Sequence, residues 1–108
     1  MELNDYQEAA LKTAIYPEDM GIVYPALGLS GETGEVADKI KKCIRDNDGV
    51  FDEAERKAVA KEMGDVLWYL AALSRDIDIS LEEIARMNLE KVMSRQLRGK
   101  LHGQGDER

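Results

Sequence analysis

Apolar residues recur through most of this chain at intervals of three and four, the period of a helix with one packed side. Four segments carry the pattern. The first spans about 4–16, with Asn4 placed to cap it and Pro17 to stop it. A loop containing Pro17, Gly21 and Pro25 follows. The second helix is predicted over about 25–47 on a stripe of Leu29, Val36, Ile40 and Cys43. Its Gly28, Gly31 and Gly34 each cost about 1 kcal/mol relative to alanine, so either a backbone passes close to them or the helix is weaker than its stripe suggests. Asn47-Asp48-Gly49 reads as a turn. The third helix is predicted over about 52–77, with Val59, Met63, Val66, Leu70 and Leu73 on one side. Ser80-Leu81-Glu82-Glu83 is a capping box that opens a fourth helix over about 80–97. Residues 99–108 are glycine-rich and read as an irregular tail. The pattern predicts an all-α single domain over 1–108, with a four-helix bundle-like core.

Composition agrees. The chain has 108 residues, 34% of them charged and only 6% aromatic, which favours helix over sheet. A chain this short buries a limited core, and oligomerisation is a common remedy. Its net charge of -7 argues against a nucleic-acid polymer as the main partner. A small polyanion would need a metal to bridge it to acidic groups. Cys43 is the only cysteine, so no internal disulfide forms, and it reads as a small buried apolar residue in a reducing compartment. The N-terminus does not read as a signal peptide, and the longest apolar run, Val66 to Leu73, is too short to span a bilayer. No membrane partner and a cytoplasmic location are the expectations.

Two acidic pairs stand out: Glu32-x-x-Glu35 and Glu62-x-x-Asp65. At helical i,i+3 spacing each pair lies one turn apart on one side of a helix. With about 100° of rotation per residue, Glu32 falls roughly 40° from Val36 and Glu62 roughly 40° from Val66, while Glu35 and Asp65 lie about 60° further out. Both helices therefore carry an inner acid beside the apolar stripe and an outer acid beyond it. The outer acids have local lysines, Lys39 and Lys61; the inner ones have none. Uncompensated acids beside an apolar face are costly unless paired or metal-bound, and two such pairs face to face form the oxygen-only cage that Mg²⁺ prefers. Solvated edge acids in a Glu-rich chain are the competing reading, and spacing alone does not choose between them.

The fourth helix adds to the picture. Asn88 falls within its stripe of Leu81, Ile84, Ala85, Leu89 and Val92, and Lys91 and Arg95 extend along one edge. A polar, basic strip facing the core serves either as an internal partner for the acids or as a set of donors to a phosphate chain. Trp68 points away from the third helix's stripe, which favours an interface with another chain. His102, in the tail, lacks a Glu-x-x-His partner pattern, which disfavours a di-iron site.

The segments Gly28-Leu29-Ser30-Gly31-Glu32-Thr33-Gly34-Glu35-Val36-Ala37 and Lys61-Glu62-Met63-Gly64-Asp65-Val66-Leu67-Trp68-Tyr69-Leu70 resemble the metal motif of the all-α nucleoside triphosphate pyrophosphohydrolases, in their MazG-like, single-domain branch. The likeness continues through Asn88-Leu89-Glu90-Lys91 and Ser94-Arg95 and into a tail ending Gly105-Asp106-Glu107-Arg108. The resemblance implies Mg²⁺-dependent hydrolysis of a (deoxy)nucleoside triphosphate to the monophosphate and pyrophosphate, in a house-cleaning or pool-adjusting role, with Mn²⁺ as a substitute. It implies Glu32, Glu35, Glu62 and Asp65 as metal ligands, with Glu35 our first choice as catalytic base. It further implies Asn88, Lys91 and Arg95 on phosphates, Tyr69 on the sugar or base, Tyr6 and Gln7 framing the base, and a homodimer or dimer of dimers. The alternatives are a non-catalytic helical regulatory module, or a relative specific for dUTP, dCTP or phosphoribosyl-ATP.

Overall fold

The computed structural model describes residues 1–99 and 103–106. His102 and the tail's closing Glu107 and Arg108 lie outside the described residues. Four α-helices form the molecule: α1 (Leu3–Ala10), α2 (Val23–Asp46), α3 (Glu53–Asp76) and α4 (Leu81–Leu97). Short 3-10 turns occupy Leu11–Thr13 and Glu18–Met20, and the described residues include no strand. The fold is all-α, as the apolar period predicts.

The two 24-residue helices α2 and α3 run antiparallel along each other and form the body. The turn between them is built locally. Asn47 and Gly49 both donate their backbone N–H to the Cys43 carbonyl, at 2.9 and 3.2 Å. Asp48 and Gly49 then take the left-handed conformation, at φ 54° and 70°, which asparagine, aspartate and glycine adopt most readily. Asp52 caps α3 by accepting the Glu55 N–H at 2.9 Å, and Ser80 caps α4 by accepting the Glu83 N–H at 3.1 Å, each satisfying a donor the helix leaves free. Helices α1 and α4 pack on each other and on α3.

Three helix ends differ from the sequence expectation. The first helix leaves the α-conformation at Ala10 and tightens into a 3-10 turn. The Ala10 carbonyl accepts from the Thr13 hydroxyl at 2.7 Å and from the Trp68 indole N–H at 3.2 Å. Nor does Asn4 cap this helix: Glu2 precedes it, its N–H bonded to the Asp5 carboxylate at 3.0 Å, and the Asn4 amide reaches Glu82 at 3.0 Å. Helix α2 starts before Pro25, which sits in the first turn, where a missing N–H costs nothing. Just ahead of it Ile22 has φ 68° and ψ -57°, and the Val23 N–H reaches back to the Gly21 carbonyl at 2.7 Å. That is a γ-turn of the strained hand, rare for a β-branched residue.

The core is narrow: Pro25, Cys43, Ala71, Ala72, Ser74 and Leu81 are the best-buried side chains of the helix contacts. Gln7 ties three helices together there. Its amide donates to the Ala71 carbonyl at 2.9 Å and the Ser74 hydroxyl at 3.1 Å, and accepts the Leu81 N–H at 3.0 Å. The apolar stripes are left largely uncovered: Met63 is 57% exposed, Leu70 39% and Leu89 59%. The radius of gyration, 16.6 Å, exceeds the roughly 13 Å of a compact chain of this length.

Candidate metal centre

Antiparallel packing sets Glu32 of α2 against Glu62 and Asp65 of α3. One carboxylate oxygen from each of the three lies within 4.8 Å of the others. Glu32 and Glu62 are half-buried; Asp65 and Glu35 are exposed, so the inner and outer acids fall as helix rotation places them. Glu35 stands outside the group of three, yet its charge still reaches Glu32. Burial first, and then Asp65, Glu62 and Glu35, push the Glu32 carboxyl above the usual range.

Among the described residues, none of the four acids is ion-paired with a lysine or arginine. The expected local partners do not close, Lys39 onto Glu35 or Lys61 onto Asp65. Lys41 and Lys42 both go to Asp38, at 3.0 and 2.8 Å, and hold its acid at about 2, Lys42 more than Lys41. Three converging carboxylates without a cation fit a divalent ion that prefers oxygen ligands.

A cleft of about 310 Å³ opens beside the acids, lined by Glu32, Asp65, Trp68 and Tyr69. Tyr69 stands edge-on to Trp68, with ring centroids 5.1 Å apart and planes at 83°. Burial, then Tyr24, Glu32 and Asp65, hold the Tyr69 phenol above its usual range. Tyr6 of α1 is raised as well, by burial and then by Asp65, so it too stands in the field of this site. Gln7, half-buried, spends its amide N–H groups on Ala71 and Ser74. The Trp68 indole N–H is taken within its own chain, by the Ala10 carbonyl and by Thr13 Oγ1 at 3.0 Å. Its place in the cleft was not foreseen. Its sequence position beside Tyr69, a turn past the acids, was the available signal.

The basic residues of the α4 strip meet the tail. Asn88 is exposed, and neither Lys91 nor Arg95 is among the charges acting on Glu32. Both basic residues hold the tail instead. Lys91 Nζ meets the Asp106 carboxylate at 3.1 Å. The buried Arg95 donates through Nη2 to the Asp106 carbonyl at 2.6 Å and lies 3.4 Å from the Asp106 carboxylate. These contacts hold the Asp106 acid below its usual range, Lys91 contributing most. Arg95 Nε is buried without a hydrogen-bond partner among the described residues. A larger open groove of about 700 Å³, near Gln7, Lys12 and Arg75, contains none of the four acids.

An all-α chain with paired carboxylates converging from two long antiparallel helices defines a class, and the comparison with known families agrees. The model of the MazG nucleotide pyrophosphohydrolase domain matches residues 25–98, the greater part of the chain, and the chain belongs to that family. It is also similar from end to end to the Gene 37 protein of Mycobacterium phage L5, at 43% identity over 114 residues that cover 100% of both chains. No solved structure matches it.

Proposed function

We propose that the chain is a Mg²⁺-dependent nucleotide pyrophosphohydrolase that converts a (deoxy)nucleoside triphosphate to the monophosphate and pyrophosphate. The observation that carries this reading is the trio of unpaired carboxylates within 4.8 Å, facing an aromatic-walled cleft. Glu32, Glu35, Glu62 and Asp65 would hold the metal, with Mn²⁺ as a substitute. When bound, the ion supplies positive charge to phosphate oxygens and makes water more acidic. The chain's own groups do the rest. Glu35, the outer and exposed acid, takes the proton of the attacking water. Attack at the α-phosphoryl group breaks its bond to the bridging oxygen, and pyrophosphate leaves. Tyr69 meets the sugar or base.

Asn88, Lys91 and Arg95 are the proposed phosphate donors of α4. The hold of Lys91 and Arg95 on the Asp106 carboxylate supports this for those two, since it is a hold on an anionic oxygen. A second copy completes the site. The uncovered stripes support a homodimer or dimer of dimers: α2 and α3 share an apolar cleft of about 600 Å³, lined by residues including Val36, Met63, Val66 and Leu70, right beside the acids. The test is a panel of ribo-, deoxy- and modified nucleoside triphosphates and phosphoribosyl-ATP, with Mg²⁺ and a pyrophosphate readout. Pyrophosphate released from at least one of them is expected; none released from any defeats the proposal.

A further inference from the structure

Position 28 has no room for a side chain. A Cβ built there stands 2.2, 2.4 and 2.6 Å from Cε1, Cζ and Cδ1 of Tyr69, far inside the roughly 3.5–4.0 Å at which carbons rest together. The other helical glycines of the two long helices, Gly31, Gly34 and Gly64, meet nothing within 4 Å. The contact follows from the antiparallel register. Gly28 lies one turn before Glu32 on α2, and Tyr69 lies one turn after Asp65 on α3, so the ring rests on bare backbone next to the acids. Trp68 stands edge-on to the same ring at 5.1 Å and is itself tied to Ala10 and Thr13.

We propose that Gly28 is a positioning residue for the nucleoside: by letting the Tyr69 ring sink onto α2, it sets the width of the cleft between that ring and the acids. This rests on the pyrophosphohydrolase reading above and deepens it. One helical turn, about 5.4 Å, separates the ring's level from the carboxylates. The sugar of a nucleotide whose α-phosphate is held at the acids therefore meets the ring, while the phosphates do not. Any side chain at 28 must lift the ring off α2, and a ring that lines the cleft then moves within the space the sugar needs. The effect falls on the nucleoside half of the ligand and spares the phosphate half.

The test uses two ligands in Mg²⁺: a deoxynucleoside triphosphate with an unhydrolysable imido bridge between its α- and β-phosphates, and inorganic tripolyphosphate. Binding is read by fluorescence of Trp68, the only tryptophan, which lines the cleft. Gly28→Ala should weaken the nucleotide about tenfold or more, the worth of a displaced aromatic contact, and leave tripolyphosphate within about twofold. In a Tyr69→Ala background Gly28→Ala should cost nothing further, because the ring it displaces is gone. This double variant carries no clash and keeps the comparison open if Gly28→Ala alone fails to fold by circular dichroism. Equal losses for both ligands, or the same cost with and without the ring, overturn the assignment. A wild-type chain that binds tripolyphosphate as well as the nucleotide overturns it too. A wild-type chain that binds neither strikes the pyrophosphohydrolase reading itself, and this inference falls with it.

Discussion

Glu32 shows how one residue carries the tension of the site. Burial and three other acids oppose its charge, so its proton is held more tightly in the folded chain than in the unfolded one. A folded acid raised above its ordinary value of 4.5 binds more protons than the unfolded chain between the two values, so stability falls as pH rises through that window. The penalty is complete once pH has passed the raised value. Glu32→Gln should therefore raise the melting temperature of the metal-free protein at pH 7. The gain should vanish below the ordinary value, and Mg²⁺ should no longer stabilise the variant. Calorimetry with and without Mg²⁺ checks this; a lower melting temperature under both conditions would mean the acid is structural. The inner and outer order of the acids is legible in the sequence because helix rotation alone sets it. The seat of Tyr69 is not, because it depends on which turn of α2 lies opposite.

Among the elements, the strained start of α2 is held from outside. Asp76, at the end of α3, accepts the Ile22 N–H at 3.1 Å and the Tyr16 hydroxyl at 2.8 Å, and Arg75 donates to that hydroxyl at 2.8 Å. Burial alone would raise the Asp76 acid; the Ile22 N–H, Tyr16 and Arg75 outweigh it and hold it low. A lowered acid contributes stability above its ordinary value of 3.8 and loses it as pH falls through that value toward the folded one. Asp76→Ala should cost about 2 kcal/mol at pH 7, and its denaturation midpoint should converge with that of the wild type in acid. A cost that persists unchanged at low pH would point to packing instead. At the other end of the molecule Arg95 binds the tail, so Arg95→Ala should speed hydrogen exchange at Gly105 and Asp106 while α4 stays protected; unchanged exchange would show that the tail docks without it. Caps such as Ser80 and Asp52 are legible because donor and acceptor lie three residues apart. The early end of α1 is not, since the indole that takes the Ala10 carbonyl comes from Trp68, far along the chain.

At the scale of the whole molecule, the apolar pattern and the burial part company. The sequence shows the stripes but not which chain covers them. Met63, Leu70 and Leu89 read as core, yet lie open on a single chain whose buried core is made largely of small residues. The second copy proposed above would cover them, which fits both the pattern and the large radius of gyration. Leu70→Glu should shift the protein to monomers in light scattering, with its helices retained and turnover lowered. An unchanged mass would leave those faces without the role assigned here.

The central claim is that the four acids hold a metal for attack on a nucleotide's α-phosphate. Its most direct test follows pyrophosphate release from a nucleoside triphosphate pool in Mg²⁺, in excess chelator, and with Glu32, Glu35, Glu62 and Asp65 each replaced by the matching amide. The account predicts turnover in Mg²⁺, none in chelator, and loss of most turnover in every amide variant while helical content is kept. Full turnover in chelator, or near-normal rates in all four variants, would contradict it.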